Sequence, residues 1–358
     1  MMDPATFRAI VSGERRGPGG TLLRAMLRIA ETPYAAAVGW RNRAYDHGRK
    51  EIHAAGVPVV SVGNLTLGGT GKTPMVAWLA RWFRSQGRRV AIVSRGYGAA
   101  EDGRNDEALE LEQQLPDVPH VQDPDRVAAA RVVTEELECD LILLDDGFQH
   151  RRLGRDLDLV LLDALEPFGH DHVFPRGTLR EPITGLARAD VVVLSRSDML
   201  RATERAAIRE RVARLAPQAT WAEVVHAPRA LLSASGREQS LEELAGRKVA
   251  AFSGIGNPQG FRHTLSQCGY EIAAWREFPD HHCYDRADIE ELISWARRAQ
   301  QESEIEAVLC THKDLVKIGI EKLGEVPLWA LAVGIEFLHG AEEVICQVSQ
   351  LLQPRDAS

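Results

Sequence analysis

Gly71-Lys72-Thr73 closes a glycine-rich turn that opens at Gly68-Gly69, between the apolar run VPVVSV and a helical pattern that follows Thr73. Glycines let backbone N–H groups converge on phosphate oxygens in conformations that a side chain forbids, at the positive end of the following helix. Lys72 then reaches the β- and γ-phosphates, and the Thr73 hydroxyl holds Mg²⁺. Thr66, Leu67, Gly68, Gly69, Thr70, Gly71, Lys72 and Thr73 are therefore the expected phosphate-binding residues. The strict pattern asks for glycine where Thr66 stands, so the match is to G-K-T with extra glycines.

Leu141-Ile-Leu-Leu-Asp145-Asp146 is an apolar run ending in two carboxylates, where a phosphate-loop enzyme carries its Mg²⁺-side acid. Ligands of open α/β sheets bind beyond the carboxyl ends of strands, which puts Asp145 and Asp146 beside the glycine turn. Taken alone, such a run is equally a strand followed by a turn. Gly147-Phe148-Gln149-His150 brings two further hydrogen-bonding side chains to the same edge.

Phe278-Pro-Asp280-His281-His282-Cys-Tyr284 gathers an acid, two imidazoles and a phenol after a strand candidate. Phosphoryl transfer to a hydroxyl needs a group that takes the proton, and His beside Asp is a supplier. The other reading is an ordinary surface turn. A zinc site from His170, His172, His281 and His282 lacks the helical H-x-x-x-H or H-E-x-x-H spacing. Arg104-Asn105-Asp106-Glu107 reads, by itself, as a solvated loop. His312-Lys313-Asp314 has neither the order nor the Asn of a guanine-reading loop.

The elements around these residues alternate. Val57 to Val62, Arg89 to Ser94, Leu141 to Leu144, Leu157 to Leu162 and Val191 to Leu194 are strand candidates separated by helical segments. Strands apolar throughout imply a parallel sheet covered on both faces. The helical Ala202 to Leu215 is followed by Trp221 to Leu231, which carries Pro228 and few core residues, and the domain junction is placed there. Further strands are expected near Lys248 to Ser253, Ile272 to Phe278, Ala307 to Cys310 and Leu328 to Leu331. Near the N-terminus, Leu22, Leu23, Met26, Leu27 and Ala30 recur at helical spacing until Pro33 breaks the pattern, which Tyr34 to Tyr45 resumes. Such a helix either lies in a membrane surface or packs on its own domain.

At 358 residues the chain is long enough for about two domains. Its net charge of −8 argues against a nucleic-acid binder. That charge is uneven: residues 1–50 hold nine basic side chains against four acidic ones. Five scattered cysteines without a C-x-x-C pair suit a reducing compartment, and no apolar run approaches the roughly 20 residues that span a bilayer.

In order along the chain, Val62-Gly63-Asn64 leading into GGTGKTP, Ser94-Arg95-Gly96-Tyr97, Asp145-Asp146-Gly147-Phe148-Gln149-His150, Phe168-Gly169, Leu179-Arg180-Glu181-Pro182, Asp280-His281-His282 and Thr311-His312-Lys313-Asp314 resemble one family. This is the tetraacyldisaccharide 4′-kinases, the lipid A 4′-kinases of Gram-negative envelope synthesis. The similarity runs from about Pro33 to Phe337. DDGFQH and LREP, following GGTGKTP in that order, are far more specific than the phosphate loop.

The resemblance implies an α/β fold: a P-loop parallel-sheet domain with helices on both faces, a second, smaller α/β domain, and an N-terminal amphipathic helix associated with the membrane. The corresponding division is 1–45, 46–225 and 226–358. It implies ATP and Mg²⁺ as cofactors, and transfer of the γ-phosphate to the 4′-hydroxyl of a tetraacyldisaccharide 1-phosphate to give lipid IVA. Asp106 and His281 would activate that hydroxyl, and Lys72, on the phosphates, would be the third catalytic residue. Asp145, Asp146, Gln149, His150 and Glu181 would line the metal and nucleotide side, with Thr73, Asp145, Asp146 and Glu181 as metal ligands. The implied partners are the lipid-linked disaccharide and the inner membrane surface, which anionic lipids would make attractive to the basic N-terminus. The implied location is the cytoplasmic face of the bacterial inner membrane, held peripherally, with no nucleic acid and no protein partner. Three departures stand out: Asn105-Asp106-Glu107-Ala108 for the family's Gly-Asp-Glu-Pro, His170 for Asn, and His312 for Glu. Competing readings are a nucleotide-hydrolysing switch or metal chaperone, and a soluble small-molecule kinase.

Overall fold

The computed structural model describes residues 4–15, 17–96, 106–280 and 282–353, without the side chains of Pro4, Ala5, Arg8 and Asp106. Two helices open the chain, α1 (Pro4–Val11) and α2 (Pro18–Asp46). Then come β1 (Val59–Asn64), α3 (Lys72–Ser85), β2 (Val90–Ser94), α4 (Asp106–Gln114), β3 (His120–Gln122), α5 (Arg126–Arg131), β4 (Leu141–Asp145), β5 (Leu157–Asp163) and β6 (Val191–Ser195). After α6 (Ala202–Leu215) follow β7 (Thr220–Leu232), β8 (Glu238–Gln239), β9 (Lys248–Ser253), α7 (Pro258–Gln267), β10 (Glu271–Glu277) and α8 (Arg286–Ser303). The chain closes with β11 (Ala307–Thr311), α9 (His312–Ile318), β12 (Lys322–Leu323), β13 (Val326–His339) and α10 (Ala341–Gln350).

These elements form two compact units. The first holds residues up to Arg95, Val118–Val225 and Phe337 onward; the second holds the described part of Gly96–Asp117 and His226–Glu336. The contiguous division expected from the sequence differs in three places, the first being that the described part of residues 1–45 groups with the first unit. The segment containing α4 groups with the second unit, and the C-terminal α10 groups with the first.

In the first unit the strands run β7-β6-β5-β1-β4-β2-β3, every neighbouring pair parallel. All residues of β1, β2, β4, β5 and β6 are buried, as expected of strands covered on both faces. Register sets Val62 of β1 against Asp145 of β4, so the glycine turn and the paired carboxylates leave the sheet side by side. Two glycines permit this closeness. A Cβ on Gly63 would lie 2.6 Å from the Phe148 Cβ, and one on Gly147 would lie 2.7 Å from the Ser61 Oγ.

The second unit has the parallel order β10-β9-β11-β13, with Phe252, Leu292, Val308 and Leu328 in one hydrophobic cluster and Val249, Phe261, Leu265 and Leu309 in another.

Two local expectations are corrected. Pro33 does not break the N-terminal helix: α2 runs unbroken for 29 residues and contains it. The ring is solvent-exposed, so the carbonyl that loses its N–H partner faces water rather than a packed neighbour. The Trp221 to Leu231 stretch, expected to hold few core residues, lies within the 13-residue strand β7, and Ala222, Val224, Ala227 and Leu231 are buried along it. The change of unit after Val225 therefore falls inside a strand.

On α2 the apolar residues do not share one face. Leu23 and Leu27 are half-buried, while Leu22, Met26, Ile29, Pro33, Ala36 and Trp40 form a stripe at three- and four-residue spacing that faces outward. Ile29 is 75% exposed and Trp40 68%.

Candidate active site

The phosphate loop joins β1 to α3. Gly68 (φ +116°) and Gly71 (φ +87°) adopt backbone conformations that L side chains avoid, and Gly71 precedes the first helical residue, Lys72. No side chain among the described residues caps α3, which leaves its first-turn N–H groups directed at the loop.

The loop is held from three directions. The Asn64 Nδ2 donates to the Thr66 carbonyl (2.9 Å) and to the Thr70 Oγ1 (3.1 Å), tying both ends together. Residues 178–180 run alongside, with the Leu67 N–H on the Thr178 carbonyl and the Arg180 N–H on the Leu65 carbonyl, each 2.7 Å. From β6, Arg196 pairs with Asp163 and donates to the Gly69 carbonyl at 3.1 Å.

Asp145 ends β4 and is buried; Asp146 follows in a left-handed conformation (φ +53°) that turns it toward the loop. The Lys72 Nζ lies 3.5 Å from Asp146, and the Arg180 Nη1 donates to both Asp146 oxygens at 2.7 Å. Burial pushes the Asp146 carboxyl up, but Lys72 and Arg180 outweigh it and hold it at about 2. His150 is lowered to about 4, first by burial and then by the Arg126 and Arg155 charges, so its imidazole is neutral near pH 7.

Glu181 and Gln149 meet each other. Gln149 donates through Nε2 to the Asn64 carbonyl (2.9 Å) and to the Glu181 Oε1 (3.0 Å). Glu181, fully buried, also accepts from Arg188 at 2.9 Å on both oxygens and from the Asn42 Nδ2 of α2 at 2.7 Å. Its carboxylate is thus taken up by three side chains, and the Arg188 guanidinium lies 4.5 Å from the Phe148 ring.

The expected acceptor-activating residues fall in the second unit. Asp106 is the first residue of α4, but its side chain, like all of His281, lies outside the described residues. His282 stacks on Phe278 (centroids 4.8 Å) and meets Asp288 at 2.8 Å. Asp314, fully buried, accepts from the Gly254 N–H (3.1 Å), the Tyr284 hydroxyl (2.9 Å) and the Thr311 hydroxyl (2.6 Å). Burial and the Asp314 charge raise the Tyr284 phenol, which keeps it a donor. Asp314 of the Thr-His-Lys-Asp string thus ties Tyr284 to the end of β9, and Lys317, further along α9, donates its Nζ to the His282 carbonyl (3.0 Å).

A family model described as Tetraacyldisaccharide-1-P 4′-kinase matches residues 23–353. The chain belongs to this family. It is 42% identical to the tetraacyldisaccharide 4′-kinase of Anaeromyxobacter sp. (strain K), over 98% of each chain. Identity to the enzyme of the same name from Geobacter sulfurreducens is 36%, over 94% of this chain and 96% of that one. Among solved structures, LpxK from Aquifex aeolicus in complex with ATP superposes with a TM-score of 0.72 at 29% identity, covering 92% of this chain and 100% of that one. Membership decides for a lipid A 4′-kinase over the switch, chaperone and soluble-kinase readings.

In this 4′-kinase fold three of the four histidines weighed for zinc have another partner, and His281 lies outside the described residues. His170 faces Glu166 (2.8 Å), His172 faces Glu31 (3.2 Å) and His282 faces Asp288. No group of three metal-capable side chains occurs among the described residues. Sequence reasoning gave Arg180 no role although it stands in LREP, and it missed Asn64, Arg188, the Arg196–Asp163 pair and Asn42. Of these, Arg180 and Asn64 had a usable signal, since both stand in family strings.

Proposed function

We propose that this chain transfers the γ-phosphoryl group of ATP to the 4′-hydroxyl of a tetraacyldisaccharide 1-phosphate, giving lipid IVA, while bound to the cytoplasmic face of the inner membrane. The observation that supports this most is the phosphate loop, held by residues of the family's own strings (Asn64, Gln149, Leu179-Arg180) in a chain that matches the family over residues 23–353.

Lys72 and Arg180 supply positive charge where the triphosphate's charge collects, and Asp146 keeps both poised before ATP arrives. Thr73, Asp145 and Asp146 offer the hard oxygen donors that Mg²⁺ prefers. Held by these residues, Mg²⁺ would offset the negative charge of the triphosphate during transfer. Glu181, expected in that set from the sequence, is left out because it is fully buried with its oxygens accepting from Asn42, Gln149 and Arg188, whereas Asp146 is partly exposed and can turn from its cations. In the transfer, the 4′-oxygen bonds to the γ-phosphorus, the bond to the β-phosphate oxygen breaks, and ADP leaves. Asp106 and His281 take the hydroxyl proton. The four acyl chains keep the acceptor in a lipid surface, and the outward stripe of α2, with Arg28, Arg43, Arg49 and Lys50 exposed, suits interfacial binding. No helix among the described residues is long and apolar enough to cross a membrane.

The test is direct. Purified protein, labelled ATP, Mg²⁺ and the disaccharide 1-phosphate in mixed micelles should yield the bisphosphate on thin-layer chromatography. Folded protein that leaves the acceptor unchanged would refute the reading.

A further inference from the structure

Helix α2 does more in the first unit than present an apolar stripe. Its inward side makes two polar contacts with segments that hold the phosphate loop. The Asn42 Nδ2 donates to the Glu181 Oε2 at 2.7 Å, and the Tyr34 hydroxyl donates to the Arg180 carbonyl at 3.2 Å. Arg180 in turn donates its N–H to the Leu65 carbonyl.

The Asn42 contact begins a continuous chain. Glu181 accepts from Gln149; the same Gln149 nitrogen donates to the Asn64 carbonyl; Asn64 ties Thr66 to Thr70. Both Gln149 N–H groups are thereby used, and two acceptors fix which way its amide points. Glu181 is fully buried, so water does not replace a lost donor.

We propose that Asn42 is a positioning residue for the nucleotide, acting through Glu181, Gln149 and Asn64 on the shape of the phosphate loop. Without its amide, the Glu181 carboxylate turns toward Arg188, its one remaining strong partner, and releases Gln149. The Asn64 carbonyl then loses its donor, and the loop it brackets holds a triphosphate less well. Asn42 touches no reacting atom, so turnover of bound ATP is preserved. The helix that carries the lipid-facing stripe is thus built into the nucleotide site. This rests on the kinase reading above, but its main readout, ATP binding, requires no acceptor lipid.

Asn42→Leu in the full chain keeps the branched shape, with the same number of side-chain heavy atoms, and removes the donor. Its dissociation constant for a fluorescent ATP analogue should rise roughly tenfold, the scale of one hydrogen bond to a charged group. KM for ATP should rise in parallel, kcat should stay within about twofold, and the Mg²⁺ concentration for half-maximal rate should not move. Gln149→Leu should show the same loss, and the double variant should be no worse than the weaker single, as links of one chain require. Wild-type affinity in folded Asn42→Leu, or additive losses in the double variant, overturns the proposal. If Asn42→Leu does not fold, Glu181→Gln carries the test: weaker ATP binding at an unchanged Mg²⁺ requirement supports it, whereas a raised Mg²⁺ requirement makes Glu181 a metal ligand and overturns it. A wild type that binds ATP but makes no bisphosphate would sink the function and leave this comparison standing.

Discussion

Lys72 and Asp146 stand 3.5 Å apart, one opening the helix after the phosphate loop and the other just past the end of β4, and Arg180 grips the same carboxylate on both oxygens. Two cations share one anion at the mouth of a loop whose N–H groups are themselves positive. An incoming triphosphate can take over both cations without any charge being left buried alone, because Asp146 is about a third exposed and can turn to metal or water. Lys72→Ala should therefore weaken ATP binding and lower turnover together, by roughly 10²- to 10³-fold in kcat. Steady-state kinetics at varied ATP would show it, and a normal kcat at saturating ATP would remove Lys72 from the reaction.

The acceptor side should respond differently. Asp106→Ala and His281→Ala should each lower kcat by about 10²- to 10⁴-fold, the usual range for general-base assistance. ATP affinity should hold, because α4 and the DHH loop belong to the second unit whereas the phosphate loop belongs to the first. Either variant turning over at the wild-type rate would show that its side chain takes no proton.

A buried histidine, His312, and a half-buried one, His150, should make the protein acid-sensitive above the range of its carboxylates. Burial lowers His312 to about 4, and His150 is lowered equally. The neutral His312 ring satisfies both neighbours on α4, with Nε2 at 2.9 Å from the Gln113 Oε1 and Nδ1 at 3.4 Å from the Gln114 Nε2. Because the folded-state pKa lies below the ordinary value of about 6.5, the unfolded chain binds the proton first. Stability is then fully present above pH 6.5 and is lost as pH falls toward 4, by at most about 1.4 kcal/mol per pH unit for each histidine. Urea titrations between pH 7 and 4.5 should show this slope. His312→Gln should remove one histidine's share, and an unchanged slope would mean that His312 is already charged in the fold.

What the sequence disclosed follows from how local each signal is. The strand Leu141–Asp145 and the glycine turn were legible because apolar runs, glycines and a Lys-Thr pair declare themselves within a few residues. Pro33 and Trp221–Leu231 misled for the same reason. A proline looks like a stop until its ring is known to face water, and a strand that passes from one unit to the other mixes buried and open positions. Asn42 and Glu181 are 139 residues apart and Arg196 and Asp163 are 33 apart, so their pairing is a property of the sheet and leaves no mark on either neighbourhood. Glu181 shows the cost of family strings: LREP gave the residue but not its partners, and the partners decide what its carboxylate is available to do.

The close approach of β1 to the turn after β4 should tolerate no side chain at residue 63. A Cβ there would sit 2.6 Å from the Phe148 Cβ and 2.8 Å from its backbone nitrogen, neither of which can swing aside as a flexible side chain would. Gly63→Ala should cost about 1–3 kcal/mol of stability and shift Phe148, with Gln149 following it off the Asn64 carbonyl. Thermal unfolding and ATP affinity should therefore fall together. A Gly63→Ala protein with wild-type melting would mean that the two segments can separate freely.

The outward stripe of α2 gives the last expectation. Ile29 lies mid-stripe and is 75% exposed, so Ile29→Glu leaves the interior untouched while placing a charge where acyl chains would lie. Sedimentation with vesicles containing about one-third anionic lipid should show weaker binding, and the rate on micellar acceptor should fall through KM for the lipid rather than for ATP. Replacing Arg28 and Arg43 by Gln should instead make binding less sensitive to salt, since an attraction between basic side chains and anionic headgroups is screened within a Debye length of about 8 Å at physiological ionic strength. If Ile29→Glu partitions onto vesicles like the wild type, the stripe is not the membrane face, and the attachment must come from elsewhere on the chain.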